Sequence, residues 1–308
     1  MAEDTSAPNA SSDNGSKGTL AVGLYLVATP IGNLEDIGAR AARILADADL
    51  VACEDTRVST RLMAAVDART PLIAYHDHNA DRVRPKLLQK LAEGQAIALI
   101  SDAGTPLVSD PGYGLVQAVR AAGHMVTAVP GPSAVPTALS LSGLPSDRFL
   151  FLGFPPSKSA ARKRWFEEVA TVPATLIFFE SAKRLAASLE DACQVLGDRS
   201  AAICRELTKR YEEVVSDRIL SLSQRYHRDG APRGEIVVVV GPPEDGKTAG
   251  LSADGTLDAK VETALQQAVG DMGARGAAQL VADLTGLPRK RLYERAVILR
   301  NSRKQGAQ

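Results

Sequence analysis

The chain has 308 residues, 45% of them hydrophobic and 23% charged, and its 36 basic and 36 acidic side chains give a formal net charge of zero. That is apolar material for two ordinary cores and a small appendage, and the charge balance argues against a protein that coats nucleic acid over its whole surface; any such site has to be local. Cys53, Cys193 and Cys204 are odd in number and form no CxxC pair, which suggests neither a disulfide framework nor a zinc site, and no apolar run reaches the ~20 residues of a membrane span.

Residues 1–18 are acidic and rich in Ser, Asn and Gly, which predicts a disordered tail rather than a signal peptide or anchor. From 19 to 145, β-branched runs alternate with segments of helical apolar spacing such as DIGARAARILADAD and DRVRPKLLQKLAEG. Strands are predicted at LYLVATP (24–30), LVACED (50–55), PLIAYHD (71–77), AIALISD (96–102) and MVTAVPG (125–131), an α/β domain with a mostly parallel sheet. A second α/β domain over 146–241 has strands at RFLFLGF (148–154), ATLIFFES (174–181), SAAICREL (200–207) and GEIVVVVG (234–241), with helices around 157–170 and 183–195. The polar, breaker-rich 242–256 reads as a linker, and 257–308 reads as wholly helical.

Ligands of open α/β sheets sit outside the carboxyl ends of the strands. Here those ends read TPIGNLEDI (29–37), CEDTR (53–57), YHDHN (75–79), SDAGTP (101–106) and VPGPSA (129–134). Turns alone need fewer carboxylates, hydroxyls and glycines than these five carry. There is no GxxxxGK[ST] loop, and TPIGNL is not GxGxxG, so a phosphate cradle has little support. A loop in which Gly104 permits close approach and Pro106 stiffens the chain suits a ligand read through backbone groups, such as an adenine or an amino-acid moiety.

The strings LYLVATPIGNLEDI, CEDTRVSTRL, SDAGTPLVSDPGYGLV and VPGPSAVPTALSLSGLPSDRFLFLGFPP resemble the tetrapyrrole-methylase fold family. Within it they are most similar to the enzymes that methylate a cytidine 2′-hydroxyl of small-subunit ribosomal RNA. FFESAKRL (178–185), CRELTKRYEE (204–213) and RGEIVVVV (233–240) extend the likeness over about 20–241. The resemblance implies two αβα domains with S-adenosylmethionine in the cleft between them, a homodimer, and methylation of a cytidine ribose in the decoding region, with the RNA expected in an assembled 30S subunit; the cysteine usage fits a reducing cytoplasm. It places the methyl donor on Pro30, Asp102, Gly104, Thr105, Pro106, Ser133 and Ala134, with Phe179 and Thr208 closing the site from the second domain. Related enzymes carry a G-D-P-type loop where this chain has SDAGTP, which makes a porphyrin-like substrate less expected.

A ribose hydroxyl is a weak nucleophile that benefits from a base. Glu54, Asp55 and Glu180 are the carboxylate candidates, beside His76 and His78; adjacent Glu54 and Asp55 would point opposite ways on a strand, and Asp55 could instead cap a helix and pair with Arg57. No third ligand accompanies the two histidines, so no metal is expected. Arg57, Arg61, Arg184 and Lys209 are candidates for RNA phosphates. AAQLVADLTGLPRKRLYERAVIL (277–299) breaks at Thr285-Gly286 and restarts at Pro288, a helix-turn-helix pattern. From Thr285 onward Arg289, Lys290, Arg291, Arg295, Arg300, Arg303 and Lys304 face one acid, Glu294, a basic footprint suited to RNA; KSAARKR (158–164) reads as a second basic patch. Two other functions fit parts of this pattern: a tetrapyrrole-type small-molecule methyltransferase, and a non-catalytic RNA-binding assembly factor. Gly104→Val is expected to abolish donor binding with the fold largely intact.

Overall fold

The computed structural model describes residues 20–243, 256, 257, 259–285 and 287–305. The expected tail at 1–18, most of the linker at 242–256, and Gly286 lie outside the described residues. The chain divides into two compact units, one running to Ala138 and including Glu206–Glu213, the other built from Leu139–Arg205 and the chain from Val214 onward.

The first unit is a doubly covered sheet. Strands β1 (Gly23–Val27), β2 (Leu50–Cys53), β3 (Leu72–Ala74), β4 (Ala96–Leu99) and β5 (Val126–Val129) lie in the order β3-β2-β4-β1-β5, and every pair is parallel. Helices α1 (Ala39–Asp47), α2 (Thr56–Ala65), α3 (Ala80–Ala92), α4 (Tyr113–Ala121) and α5 (Ala134–Ser142) alternate with them. Ile44 and Leu45 of α1 and Leu62 and Met63 of α2 pack with Val27, Val51 and Ala98; Leu87 and Leu91 of α3 and Leu115 and Val119 of α4 pack with Leu24, Ile97 and Leu99. Alternate residues of one strand thus enter opposite cores, which is why β2 and β4 are buried at all four positions and read as unbroken apolar runs.

The second unit holds a mixed sheet. Strands β6 (Phe149–Phe151), β7 (Thr175–Ser181), β8 (Ser200–Arg205), β9 (Glu213–Arg218) and β10 (Glu235–Val240) lie in the order β6-β7-β10-β8-β9; β6 runs parallel to β7, and β10 antiparallel to β7 and β8. Helices α6 (Ser159–Glu167), α7 (Leu185–Leu196) and α8 (Ile219–Asp229) place Phe166, Leu189, Leu222 and Tyr226 against Leu176, Phe178, Ile203 and Val238. Strand β9, absent from the sequence reading, is an edge strand whose EVVSDR carries three charges and has no fully buried residue, so its apolar signal is weak.

The basic patch expected at 158–164 is corrected by the structure. Arg162 is buried and joined to equally buried Asp191 at 2.6 Å, Lys163 lies 3.4 Å from the same carboxylate, and Ser159 Oγ donates to it at 2.9 Å. Two of the four cations therefore serve a fixed ion pair between α6 and α7, and Lys158 and Arg164 remain exposed. After the linker, α9 (Ala259–Thr285) kinks at Gly273 (φ 73°, ψ 170°) and α10 (Arg289–Gln305) folds back on it around Leu265, Ala277, Val281, Leu287, Leu292 and Ala296. Arg295 of the expected footprint is tied to Glu262 of α9, whereas Arg289, Lys290, Arg291 and Arg300 lie on the exposed surface.

Candidate active site

Parallel strands direct all their carboxyl ends to one edge of the first sheet, and the loops there are fastened to one another. Thr29, two residues past β1, bridges Gly104: its N–H donates to the Gly104 carbonyl at 2.8 Å and the Gly104 N–H returns a bond at 3.0 Å. The buried Thr29 hydroxyl donates to Ser101 O at 3.2 Å, and Thr105 Oγ1 to Pro132 O at 3.2 Å. Asp102 Oδ1 accepts the Asp55 N–H at 3.1 Å. The ends of β1, β2, β4 and β5 are thereby held in one fixed arrangement.

Loop 101–112 stores strain. Gly104 has φ 86°, and Leu107 (74°) and Ser109 (62°) are also left-handed, a conformation that costs a side-chain-bearing residue of order 1–3 kcal/mol and persists where surroundings enforce it, often at ligand sites. A second strained segment reaches the same edge: in Glu206–Glu213, Glu206 (φ 50°) and Thr208 (65°) are left-handed, and Thr208 Oγ1 accepts the Asn33 N–H at 3.2 Å. The two backbones approach so closely at Gly32 that a Cβ there would collide with Lys209 Cγ and lie 2.9 Å from Thr208 Oγ1 and 3.0 Å from Leu207 O. Glycine is required by contact rather than by dihedral.

The carboxylates divide sharply. Asp55 caps α2 by accepting Arg57 N–H at 2.8 Å and pairs with the Arg57 guanidinium at 2.6 Å, which holds its carboxyl down at about 2. Glu54, half-buried beside it, is raised by burial and then by Asp102 and Asp77, with His76 opposing. Asp110, which shares a hydrogen bond with Ser101, is pushed up to about 6, first by burial and then by Glu54 and Asp102. Asp110 was missed in the sequence, although the Ser-Asp-Pro-Gly run it occupies is a turn signature.

Glu180 lies at the end of β7 in the second unit, buried, with Oε1 accepting the Ser181 N–H at 2.6 Å and pairing with Arg184 at 2.7 Å, while Oε2 has no hydrogen-bond partner. Phe179 packs on Phe151 and Phe154 at 4.9 and 5.2 Å between centroids. Lys209 is paired with Glu206 at 3.0 Å; Arg61 is exposed on α2. His76 and His78 meet edge to face at 6.0 Å, and among the described residues no three His, Cys, Asp or Glu side chains are placed to share a metal ion.

The family model for Tetrapyrrole (Corrin/Porphyrin) Methylases matches residues 23–222, which contain the rim loops and Glu180 just described. The chain belongs to that family. It is a methyltransferase, and a second family model, the RsmI C-terminal HTH domain, matches residues 255–300. The chain is similar to the "Ribosomal RNA small subunit methyltransferase I" of Mesorhizobium japonicum, 49% identical over 284 residues that cover 92% of this chain and 94% of the relative. The fold also resembles two solved structures. One is a cobalt precorrin-4 methyltransferase (TM-score 0.54, 16% identity, 71% of this chain and 94% of that one); the other is uroporphyrin-III C-methyltransferase from Thermus thermophilus complexed with S-adenyl homocysteine (TM-score 0.50, 19% identity, 71% and 96%).

The linkage of Asp110 has a definite sign. Its folded carboxyl titrates near 6 against an ordinary 3.8, so the folded state holds the proton more tightly and stability falls as pH rises through that window. Asp110→Asn keeps an acceptor for Ser101 and removes the charge. It is expected to raise the melting temperature at pH 7 and to leave it unchanged below the ordinary value; an identical profile for both proteins between pH 4 and 7 would show that Asp110 is not held protonated.

Proposed function

We propose that this chain transfers a methyl group from S-adenosylmethionine to the 2′-hydroxyl of a cytidine in the decoding region of small-subunit ribosomal RNA. The observation that carries the reading is the fastened rim at residues 29–33, 101–112 and 206–212, in a chain that shares 49% identity with a relative named as a small-subunit ribosomal RNA methyltransferase. The donor site consists of Pro30, Asp102, Gly104, Thr105, Pro106, Ser133, Ala134 and Thr208. The residues fit such a ligand: the loop is pinned by the Thr29–Gly104 pair and by Thr105 on Pro132, and Gly104, at φ 86° and with no side chain, lets its backbone lie close to Ile31, where a Cβ would stand 3.3 Å from Cγ2.

When bound, S-adenosylmethionine supplies an electrophilic methyl on a sulfonium, so the protein has to align the hydroxyl and exclude water. Glu54 takes the hydroxyl proton. Asp55 is committed to α2 and Arg57, and Glu180 to Arg184 and Ser181, whereas the Glu54 carboxyl is half-buried and raised toward the range in which a base accepts a proton effectively. Asp110 and Asp102 keep negative potential beside Glu54. Arg57, Arg61, Arg289, Lys290 and Arg291 meet RNA phosphates, and the basic α10 surface adds affinity without sequence choice.

The test is transfer of labelled methyl from S-adenosylmethionine to small ribosomal subunits isolated from cells lacking this gene, with the labelled nucleotide mapped. Label on a single cytidine ribose is expected. Incorporation only into tetrapyrroles would return the chain to the small-molecule branch, and donor binding without transfer to either class would leave an RNA-binding factor.

A further inference from the structure

Only 4% of this chain is aromatic, so a tyrosine left in solvent on a rigid support invites a functional account. Tyr211 is 64% exposed, and the guanidinium carbon of exposed Arg210 lies 5.6 Å from its ring centroid. The pair sits at the tip of 206–212, whose base is fixed from several sides. Thr208 N–H donates to Glu212 Oε2 at 2.6 Å, Lys209 N–H to Glu206 O at 3.0 Å, and Glu212 N–H to Lys209 O at 3.1 Å. The Asn33 bond to Thr208 and the close approach at Gly32 dock that base on the segment that also holds Gly104 through Thr29. The exposed tip is therefore carried at a set position on the donor rim.

Resting on the RNA reading above, we propose that Arg210 and Tyr211 form a stacking site for an unpaired nucleobase of the RNA substrate next to the nucleotide that is methylated. Single-stranded bases are recognised by stacking on aromatic rings and guanidinium planes, and a ring pre-oriented on a rigid loop loses little freedom on binding. Arg210 adds attraction for the ring and for the neighbouring phosphate. Lys209 of the same loop is held by Glu206, and the exposed residues of the loop are Arg210, Tyr211 and Glu212, the last with its Oε2 accepting the Thr208 N–H.

The experiment measures methyl transfer to unmodified small subunits by the full chain and by Tyr211→Ala, Tyr211→Phe and Arg210→Ala. Donor affinity is followed by calorimetry and association state by sedimentation. Tyr211→Ala is expected to raise KM for the subunit roughly 5- to 100-fold, the range that loss of one stacked base gives, with the donor Kd unchanged. Tyr211→Phe retains near-parental KM, and Arg210→Ala weakens binding most at low salt. An unchanged KM in Tyr211→Ala overturns the stacking site, as does a shift to a smaller sedimenting species, which would assign the ring to an interface between copies of the chain. If the parent chain methylates neither subunits nor RNA, the RNA reading falls and this site with it; a fully active parent alongside a fully active Tyr211→Ala removes the site alone.

Discussion

Asp191→Ala is expected to destabilise the second unit by about 3–5 kcal/mol, because it leaves the Arg162 guanidinium buried without its carboxylate. Both side chains are nearly inaccessible, 4% and 7% exposed, so water cannot take the place of the lost partner. Ser159 Oγ and Arg162 Nε, which donate to Asp191 at 2.9 and 2.8 Å, lose their acceptor in the same step. Urea unfolding followed through Trp165, which packs against this core, reports the change. Replacing both partners with apolar residues of similar volume is expected to cost far less than the single substitution, since the penalty comes from the stranded charge. Equal midpoints for the parent and Asp191→Ala would mean that the pair carries no stability.

Gly104→Val is expected to abolish S-adenosylmethionine binding, with no heat detected by calorimetry at about 1 mM donor, a concentration corresponding to only about 4 kcal/mol of affinity. Two effects act together. The side chain crowds Ile31 and Pro132 of the neighbouring rim loops, and a β-branched residue at φ 86° has to leave that conformation, which breaks the paired bonds with Thr29. The sequence-based expectation that the fold would be largely untouched therefore needs amending: a stability loss of about 1–3 kcal/mol accompanies the loss of binding. Gly104→Ala keeps the left-handed strain and adds far less bulk, its Cβ meeting Ile31 Cγ2 at 3.3 Å and Pro132 O at 3.9 Å, so a loss of stability with donor binding retained would assign the effect of valine on binding to its size. Normal donor affinity in Gly104→Val would move the donor site away from this loop.

The first sheet was legible because burial on both faces makes each strand an apolar run bounded by breakers, as LVAC and AIAL show. The edge strand EVVSDR was not, since half its residues are charged and none is fully buried, although its partner β8 immediately precedes it in the chain. The rim residues were legible by type but not by commitment. Asp55 and Arg57 are two residues apart, so their cap could be weighed from sequence alone. The Arg162–Asp191 pair spans 29 residues and the Asn33–Thr208 bond 175, and no local pattern announces either. Asp110 was missed for a related reason: it meets Ser101 across a loop in which Leu107 and Ser109 take a conformation that their residue types do not advertise.

The assignment of residues 206–213 to the first unit has a consequence for biogenesis. When Ala138 has been synthesised, every strand of the first sheet is in hand, yet the segment that docks on Gly32 and Asn33 has still to be translated. At about 5–20 residues per second, several seconds pass before it arrives, and in that interval much of β6, α6, β7, α7 and β8 emerges. The first sheet thus exists for a time with its rim unfinished, and the segment that completes the rim is supplied only after most strands of the second unit have been synthesised.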